Sequence, residues 1–420
     1  MRYRIYTLGC KVNSCDSDTI SSVLETAGLA SAGEDETPDL AVINTCAVTA
    51  ESTRKSRQLT RHVRNQYPAC FIAVCGCFAR TGDAASSLPE ADTVISRTGA
   101  ADTGRSILEA FFGRPFDDMS QLLPGTVHET RTRASVKIQD GCNRYCTYCI
   151  IPYLRGSLWS ADPKDIVEKI ESLSAEGYRE AVLTGIHIAS YLYGEYGLID
   201  VLEMIDSECS IDRFRLGSLE PVLMSDEFIS RLSRLRKLCP HFHLSLQSGS
   251  AGVLSRMKRR YTPQQYLEIT ERIREEIPGA VFTTDIIVGF PGESEEEFEE
   301  SLDLVKKARF AHVHIFPYSP RPGTPASSMS GQLTRAEKHS RLKRLEEVCG
   351  EVSRQVLSSF TGTELKVLPE YVNERGLLEG YSENYLRVCF PGDATDVNRI
   401  VGVRICSTGE DGMLTGEKTV

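Results

Sequence analysis

The stretch "QDGCNRYCTYCIIPYLRG", residues 139–156, brings Cys142, Cys146 and Cys149 together in one short segment. The segment "ASVKIQ" before it alternates like a β-strand, so the cysteines lie on a loop that directly follows a strand. The spacing C-x3-C-x2-C presents three soft thiolate ligands, which suit a metal ion or an iron–sulfur cluster. A cluster held by only three thiolates leaves one iron open, as a catalytic metal site requires.

A structural zinc ion is the alternative interpretation of this loop. Zinc prefers four ligands in a closed tetrahedron, and the loop supplies three cysteines. His128 lies before the strand, whereas His187 follows the next strand and could reach the loop. Zinc therefore stays open as an alternative, with His187 as the candidate fourth ligand.

Length, charge and cysteine content narrow the class of protein. A chain of 420 residues is expected to form two or three domains. The net charge of −10 argues against a protein that coats nucleic acid without specificity. No apolar run approaches the ~20 residues of a membrane helix, and the first residues hold no hydrophobic signal core. With 14 cysteines, metal or redox chemistry in the cytoplasm is expected, without membrane attachment.

The N-terminal part of the chain alternates strands and helices. The strand-like segments "RYRIYTL", "DLAVINT", "FIAVCG" and "ADTVIS" are separated by stretches with helical spacing. This alternation predicts an α/β domain with a doubly wound parallel sheet, which we assign to residues 1–118.

Three further cysteines occupy equivalent places in this domain. Cys10 follows the first strand, Cys46 the second and Cys77 the third. The functional crevice of an open α/β sheet lies outside the carboxyl ends of its strands, so these thiols are expected to converge. Cys75 competes with Cys77 in "VCGC", but Cys75 should lie within the strand and point into the core. We therefore predict a second metal or cluster site formed by Cys10, Cys46 and Cys77.

A second alternation predicts a central domain over residues 127–356. Its six strand–helix units are too few for a closed eight-stranded barrel, so a partial, open (β/α)6 barrel is expected. The loop with Cys142 lies at the carboxyl ends of these strands. From about Phe360, short strands with Gly, Asn and Pro turns predict a small antiparallel β-barrel, assigned to residues 358–420.

The motif "GCNRYCTYCIIP" resembles the signature of radical S-adenosylmethionine (SAM) enzymes. The resemblance implies a [4Fe–4S] cluster on the three loop cysteines, whose open iron is chelated by the amino and carboxylate groups of SAM. Reductive cleavage of SAM then yields a 5′-deoxyadenosyl radical, while the protein orients the cofactor. Tyr148 matches the aromatic position that lies near the adenine in this family, and a packing role in the loop is the alternative.

Motifs along nearly the whole chain, from Arg4 to about Gly402, resemble the methylthiotransferases. They include "TLGCKVN", "INTCAVT", "CGCFAR", "LQSGS", "TTDIIVGFPGE", "YSPRPGTPA" and "EGYSENY", in the order of that family. The resemblance implies an N-terminal methylthiotransferase domain, a radical SAM core and a C-terminal RNA-binding TRAM barrel. "GCKVN" is similar to the branch that acts on N6-threonylcarbamoyladenosine at position 37 of tRNA. The isopentenyladenosine branch typically reads GCQMN, and the branch that modifies a ribosomal protein typically reads GCPKN.

For the chemistry, the resemblance implies a second, auxiliary [4Fe–4S] cluster on Cys10, Cys46 and Cys77 that carries or donates sulfur. One SAM methylates that sulfur, and a second SAM generates the radical that activates C2 of the adenosine. The expected product is 2-methylthio-N6-threonylcarbamoyladenosine. Expected partners are tRNA and an electron donor such as flavodoxin or ferredoxin, and the chain is expected to be a monomer. The alternatives are an isopentenyladenosine substrate, a ribosomal protein substrate, or a non-catalytic metal-binding protein that binds RNA.

Three residues of the central domain are candidate SAM contacts because they follow successive strands. Gly185 would let the backbone approach the ligand closely. Glu220 and Gln247 could bind ribose or amino groups, or could instead satisfy amides at the strand ends.

Candidate RNA contacts lie on a basic helix, in the segment "RMKRR" (256–260) and in the C-terminal barrel, where Tyr381 and Tyr385 could stack on bases. For each of them a structural role is the alternative. The arginines that share one face of the basic helix are Arg54, Arg57, Arg61 and Arg64.

Trp159 stands where the family usually carries an arginine, and we expect it to pack in a core.

Overall fold

The computed structural model describes residues 1–97, 99–115 and 132–419. These residues form two compact units. The expected domain borders at 118 and 127, together with His128, lie outside the described residues. The first unit contains the described residues up to 115 together with 140–159 and 319–327, and the second contains 132–139, 160–318 and 328–419.

The first unit is built on a parallel sheet with helices on both faces. Its strands are β1 (Arg2–Thr7), β2 (Ala30–Ser31), β3 (Leu40–Thr45), β4 (Phe71–Gly76) and β5 (Thr93–Val94). Its helices are α1 (Lys11–Thr26), α2 (Ala50–Gln66), α3 (Ala84–Ser87), α4 (Ala100–Phe112) and α5 (Ile151–Arg155). The strand order is β2-β1-β3-β4-β5, and every neighbouring pair is parallel.

Alternating residues of β3 explain why helices cover both faces of this sheet. Ala41 and Ile43 pack in one core with Val63 of α2, whereas Val42 packs in a second core with Ile20 of α1. All six residues of β3 are buried, as expected for a central parallel strand that is covered on both sides. The predicted doubly wound sheet is therefore confirmed, with β2 as an additional edge strand.

The second unit contains the remaining elements. The strands that precede its last helix are β6 (Arg133–Asp140), β7 (Trp159–Ser160), β8 (Glu180–Gly185), β9 (Leu192–Tyr193), β10 (Tyr196–Gly197), β11 (Arg213–Leu216), β12 (His241–His243), β13 (Val281–Val288) and β14 (His312–Pro317), of which β6 and β7 run across the border with the first unit. Its helices are α6 (Pro163–Ala175), α7 (Leu198–Glu208), α8 (Asp226–Leu232), α9 (Ala251–Arg256), α10 (Pro263–Glu276), α11 (Glu295–Ala308) and α12 (Arg335–Ser358).

The six predicted strands of the partial barrel are β6, β8, β11, β12, β13 and β14. Within each of two groups, β11-β8-β6 and β12-β13-β14, neighbouring strands are parallel. Two isolated parallel bridges, Phe214–Leu238 and Leu219–Leu244, connect the groups between β11 and β12. The open (β/α)6 arrangement is confirmed.

The C-terminal strands close into a small barrel. They are β15 (Glu364–Val372), β16 (Leu378–Ser382), β17 (Arg387–Phe390), β18 (Val401–Thr408) and β19 (Leu414–Lys418). In the closed order β15-β16-β17-β19-β18, only the pair β17–β19 is parallel. Its interior residues Val367 and Phe390 form one core with Val281 and Ala311, which adjoin strands of the partial barrel.

A buried ion network also joins the C-terminal barrel to the amino ends of the strands. The Glu180 carboxylate, at the start of β8, accepts hydrogen bonds from Arg213 Nε at 2.7 Å and Arg215 Nε at 2.9 Å. Arg213 also donates to the carbonyl of Lys366 at 2.8 Å, and Arg215 donates to that of Ser382 at 3.2 Å. Burial alone would raise the pKa of Glu180, but the two arginines outweigh it and lower the pKa to about 2.

We expect Glu180→Gln to lower the free energy of unfolding by about 3–5 kcal/mol, because it leaves two buried guanidiniums without their carboxylate. The pKa of Glu180 is lowered from 4.5. The difference in the free energy of unfolding between the parent and Glu180→Gln should therefore be complete above pH 4.5 and should vanish as the pH falls through about 2. Urea denaturation followed by circular dichroism measures it. The control is Glu203→Gln, which removes an exposed partner of Arg231 and should cost about 0–1 kcal/mol. Equal losses in the two variants would contradict the structural role of Glu180.

Within the described ranges, no helix combines the length and the apolar character that crossing a bilayer requires.

Candidate metal and cofactor site

The ends of β1, β3 and β4 bring Cys10, Cys46 and Cys77 toward one another. Cys10 directly precedes α1, Cys46 directly follows β3, and Cys77 donates its backbone N–H to the carbonyl of Thr45 at 2.9 Å. Gly9 has a φ of +108°, and a Cβ at this position would lie 3.0 Å from Cys46 Cβ. A side chain at position 9 would therefore disturb the close approach between the chain before Cys10 and Cys46.

Asn13 lies at the centre of this arrangement. Its Nδ2 donates to the carbonyl of Leu8 at 2.7 Å and to that of Thr45 at 2.9 Å, so one amide connects the ends of β1 and β3. Its Oδ1 lies 4.0 Å from Cys77 Sγ and accepts a hydrogen bond from Arg155. The asparagine of "GCKVN" thus fixes the geometry around the cysteines.

Cys75 and Cys77 point to opposite faces of the sheet. Cys75 is buried in the core that contains Val42, whereas Cys77 belongs to the core on the other face, with Phe78. Burial raises the pKa of Cys75 to about 12, which keeps the thiol protonated. Its surroundings are those of a packing residue.

The second set of cysteines lies on the loop between β6 and α5, in the same compact unit as the first set. Cys146 is buried, Cys142 and Cys149 are half-buried, and the Cys149 N–H donates to the carbonyl of Cys146 at 3.0 Å. Gly141 has a φ of +75°, and a Cβ there would lie 2.2 Å from the carbonyl oxygen of Ser157. The two ends of the segment therefore meet, and the three cysteines lie on the loop that it closes.

Arg155 connects the second cysteine loop to the helix that follows Cys10. Its buried guanidinium lies 2.9 Å from Asp16 and 3.1 Å from Asp140, and it donates to Asn13 Oδ1. Burial disfavours the charged form, but Cys77, Asp16 and Asp140 raise the pKa of Arg155 well above its usual value. The positive charge is therefore permanent, and it lies beside thiols of the first set and beside Asp140, which directly precedes the cysteine loop.

Residues 319–327 add a third segment to this unit. The Ala326 N–H donates to the carbonyl of Thr147, between the loop cysteines, at 2.8 Å. Arg321 donates to Thr53 of α2 at 3.2 Å. The segment "SPRPGTPAS" therefore contacts both the cysteine loop and the helix that follows Cys46.

Cationic groups surround the first set of thiols. Burial raises the pKa of Cys77, and Arg155 offsets part of that rise. Burial lowers the pKa of Arg321, and the neighbouring Cys46 offsets part of that fall. Thiolates are the form that binds iron, so permanent positive charge beside them favours an iron–sulfur cluster. The first set of soft ligands therefore fits such a cluster, and the loop cysteines supply three ligands of the same kind.

Three of the four candidate SAM residues, Gly185, Glu220 and Gln247, lie in the second unit, whereas the fourth, Tyr148, lies in the first. Gly185 ends β8, and a Cβ there would lie 2.8 Å from the carbonyl oxygen of Gln139, so close packing of β6 and β8 already requires this glycine. Gln247 is buried and has a φ of +71°, and its backbone N–H donates to the carbonyl of Asp285.

Glu220 is a buried carboxylate whose partners include a histidine and an arginine. Its Oε2 lies 2.8 Å from His187 Nε2, and its Oε1 lies 3.3 Å from Arg259 Nη1. His187, the candidate zinc ligand, is thus engaged with a carboxylate of the second unit, while the six cysteines above belong to the first.

The candidate RNA contacts are largely committed to other partners. On α2, Arg61 pairs with Glu90 and Arg64 pairs with Asp92, whereas Arg57 is exposed. Arg54 pairs with the neighbouring Glu51. In "RMKRR", Arg256 pairs with Glu297 and Arg259 pairs with Glu220, so two of its four basic residues bind within the unit.

The two tyrosines of the C-terminal barrel stack on each other, with ring centroids 4.8 Å apart. The guanidinium of Arg133 lies 4.5 Å from the ring of Tyr381, and that of Arg215 lies 4.6 Å from the ring of Tyr385. Their faces are therefore occupied by arginines of the partial barrel.

The expected core packing of Trp159 is wrong, because this residue is 50% exposed.

Two exposed tyrosines, one within the cysteine loop and one on α5, carry no sequence pattern that would distinguish them. Tyr145 and Tyr153 are 49% and 53% exposed, and their rings meet edge to face at 5.6 Å. Tyr145 has a φ of +47°, a backbone conformation that a non-glycine residue rarely adopts and that is often found at functional sites.

Comparisons with known proteins agree with this geometry. Residues 136–305 match the radical SAM superfamily, and residues 2–96 match the uncharacterized protein family UPF0004. The fold is similar to that of the radical S-adenosylmethionine methyltransferase TsrM from Kitasatospora setae. That similarity has a TM-score of 0.57 at 15% identity and covers 78% of this chain and 76% of that one.

Full-length relatives identify the family. The threonylcarbamoyladenosine tRNA methylthiotransferase MtaB of Bacillus subtilis is 36% identical over 96% of this chain and 93% of the relative. The protein of the same name from Thermotoga maritima is 36% identical over 98% of this chain and 96% of the relative. A tRNA-2-methylthio-N(6)-dimethylallyladenosine synthase from Pelotomaculum thermopropionicum is 33% identical over 96% of this chain and 95% of the relative. The chain belongs to the tRNA methylthiotransferase family of radical SAM enzymes, and is a transferase that uses SAM and a [4Fe–4S] cluster.

Proposed function

We propose that the protein installs a methylthio group at C2 of N6-threonylcarbamoyladenosine in tRNA. The observation that carries the proposal is the presence of two cysteine sets in one compact unit, where the buried Arg155 pairs with Asp16 of α1 and with Asp140 before the cysteine loop. The choice of nucleoside is supported by the motif "GCKVN" and by relatives named for threonylcarbamoyladenosine at 36% identity. The second candidate is the dimethylallyladenosine substrate, which the names of relatives at 33–34% identity favour.

We assign one [4Fe–4S] cluster to Cys142, Cys146 and Cys149, and a second, auxiliary cluster to Cys10, Cys46 and Cys77. When bound, the clusters and SAM supply the radical chemistry and the sulfur that acid–base groups cannot provide for an unactivated C–H bond. The residues of the chain hold these groups in place. Asn13 and Gly9 fix the ends of the strands, and the buried cation of Arg155 balances negative charge beside Cys77 and Cys10.

Contacts to SAM and tRNA follow from the same assignment. We assign Tyr148, Gly185, Glu220 and Gln247 to SAM binding, with Glu220 held in place by His187 and Arg259. For the anticodon loop of tRNA, the exposed rings of Tyr145 and Tyr153 offer stacking surfaces beside the cysteine loop. We further expect a monomer that accepts electrons from a flavodoxin or ferredoxin in the reducing cytoplasm.

Nucleoside mass spectrometry of tRNA from a strain without the gene tests this function in the cell. We expect N6-threonylcarbamoyladenosine to accumulate and its 2-methylthio derivative to be absent. The parent gene should restore the derivative, whereas a Cys146→Ala gene should not. Loss of a methylthiolated dimethylallyladenosine instead would establish the second candidate, and unchanged tRNA would refute both.

A further inference from the structure

Three side chains on neighbouring strands of the second unit form a group, and none of the three residues is a candidate cluster ligand or SAM contact. His243 lies on β12, Asp285 on β13 and His314 on β14. Asp285 and His314 are register partners, and Thr283, two residues before Asp285, pairs with His243. All three side chains therefore leave the sheet on the same face.

The residues between them confirm this orientation. Phe242, Ile286 and Val313 alternate with the three residues along the strands and are buried. By contrast, the side chain of His243 is 13% exposed, that of Asp285 is 27% exposed, and His314 is an exposed residue. The group is thus partly open to solvent and accessible to a small ion.

The ligand atoms of the group converge. One nitrogen or oxygen from each of His243, Asp285 and His314 lies within 4.8 Å of the other two, and His243 Nε2 is 3.2 Å from Asp285 Oδ2. Two ligand atoms on a tetrahedral zinc ion are about 3.3 Å apart, given metal–ligand bonds of about 2.0–2.2 Å. His243 Nε2 and Asp285 Oδ2 are therefore already separated like two ligand atoms of one metal ion, and rotation of the exposed His314 ring would bring in the third.

A second layer of hydrogen bonds orients His243. Its Nδ1 lies 3.0 Å from the hydroxyl of Thr283, which also contacts His241 Nε2 at 3.0 Å. A ligating histidine usually donates its other ring N–H to such a partner, which fixes the tautomer and directs the remaining nitrogen at the metal. Thr283 provides that partner, so Nε2 of His243 is free to face Asp285 and a metal ion.

We propose that His243, Asp285 and His314 bind a divalent first-row transition metal ion with open coordination positions. Two imidazoles and one carboxylate are the ligands of catalytic zinc sites and of non-haem iron(II) sites, which keep positions free for water or a substrate oxygen. This site is distinct from the cysteine sets, which belong to the other unit. The inference does not depend on the tRNA nucleoside that the enzyme modifies.

Anaerobic equilibrium dialysis of the cluster-loaded enzyme against zinc ions, with zinc and iron counted by mass spectrometry, tests the proposal. We expect about one saturable zinc per chain with unchanged iron. His243→Ala and His314→Ala should weaken zinc binding by more than about 100-fold, and Thr283→Val, which removes only the orienting partner, by about 10-fold. Asp285→Asn keeps the shape of the side chain and should weaken binding comparably to the histidine variants.

The matched control is His312→Ala, whose ring lies 4.5 Å from that of His314 but which is not one of the three ligands. It should bind zinc within about twofold of the parent. If His312→Ala lost zinc as strongly as His314→Ala, the group would be an unspecific patch of imidazoles and the proposal would be wrong. Zinc binding that is absent from the parent, or equal in the parent and the three ligand variants, would also overturn it. Thermal unfolding and the iron count verify that each variant is folded.

Discussion

Alanine at Cys142, Cys146 or Cys149 is expected to abolish both 5′-deoxyadenosine and methylthiolated tRNA. Each substitution removes one of three thiolates from a loop in which Cys146 is buried and the other two are half-buried. The iron content should fall from about eight to about four per chain, since a [4Fe–4S] cluster needs its cysteines. The measurement is anaerobic reconstitution, iron counting and product analysis by mass spectrometry.

Alanine at Cys10, Cys46 or Cys77 should have a different result. These variants should also lose about four irons, but they should still cleave SAM to 5′-deoxyadenosine without transferring a methylthio group. The matched control is Cys75→Ala, which changes a core cysteine two residues from Cys77. It should keep both clusters and lower the free energy of unfolding by at most about 1–2 kcal/mol.

Two outcomes would contradict this division of labour. A folded Cys10→Ala protein that makes no 5′-deoxyadenosine would show that the two sets do not act separately. A Cys75→Ala protein that loses the auxiliary cluster, together with a Cys77→Ala protein that keeps it, would show that the wrong cysteine of "VCGC" is assigned.

Arg155→Met is expected to lower the free energy of unfolding by about 3–5 kcal/mol, because it leaves Asp16 and Asp140 without their buried cation. The guanidinium side chain is 1% exposed, so water cannot replace the lost interactions. The free energy of unfolding of Arg155→Lys should lie between those of the parent and Arg155→Met, since an ammonium keeps the charge but not the planar fork that reaches both carboxylates. Urea denaturation of the apo and cluster-loaded proteins measures the loss.

Two controls separate this network from a general effect of losing an arginine. Arg54→Met removes a surface ion pair with Glu51 and should leave the urea midpoint unchanged. Asp16→Asn should restore part of the stability of Arg155→Met, because it removes one of the unpaired carboxylates. If Arg155→Met were as stable as Arg54→Met, the buried pairs of Arg155 with Asp16 and Asp140 would not stabilise this unit.

The fold could be predicted because its signals are local. The buried strand "DLAVINT" and the alternation of strands with helical spacing identify the parallel sheet from periodicity alone. Helix α12 is not among the predicted elements, although Thr334 and Glu337 form a capping box that marks its start in the sequence. The shared core of the C-terminal barrel with Val281 and Ala311 joins residues distant in the chain, so no local pattern contains it.

The site was predictable to the extent that cysteine spacing and strand ends are visible in the sequence. The ends of β1, β3 and β4 converge as the strand–helix alternation predicts. Arg155, by contrast, is one arginine in a chain that has many, and its importance follows from contacts to Asp16 and Asn13, more than a hundred residues away. The segment 319–327 likewise reaches the cysteine loop only through tertiary structure. Exposure of Trp159 could not be inferred from its apolar ring alone.

The most direct test of the proposed function compares two tRNA substrates in one reaction. The cluster-loaded enzyme is incubated anaerobically with SAM, a reductant and equal amounts of two tRNAs, one carrying N6-threonylcarbamoyladenosine and one carrying N6-dimethylallyladenosine. Digestion and mass spectrometry then locate the methylthio group. We predict 2-methylthio-N6-threonylcarbamoyladenosine, with the other nucleoside unchanged. A methylthio group on dimethylallyladenosine, or 5′-deoxyadenosine formed without modification of either tRNA, would contradict the proposal.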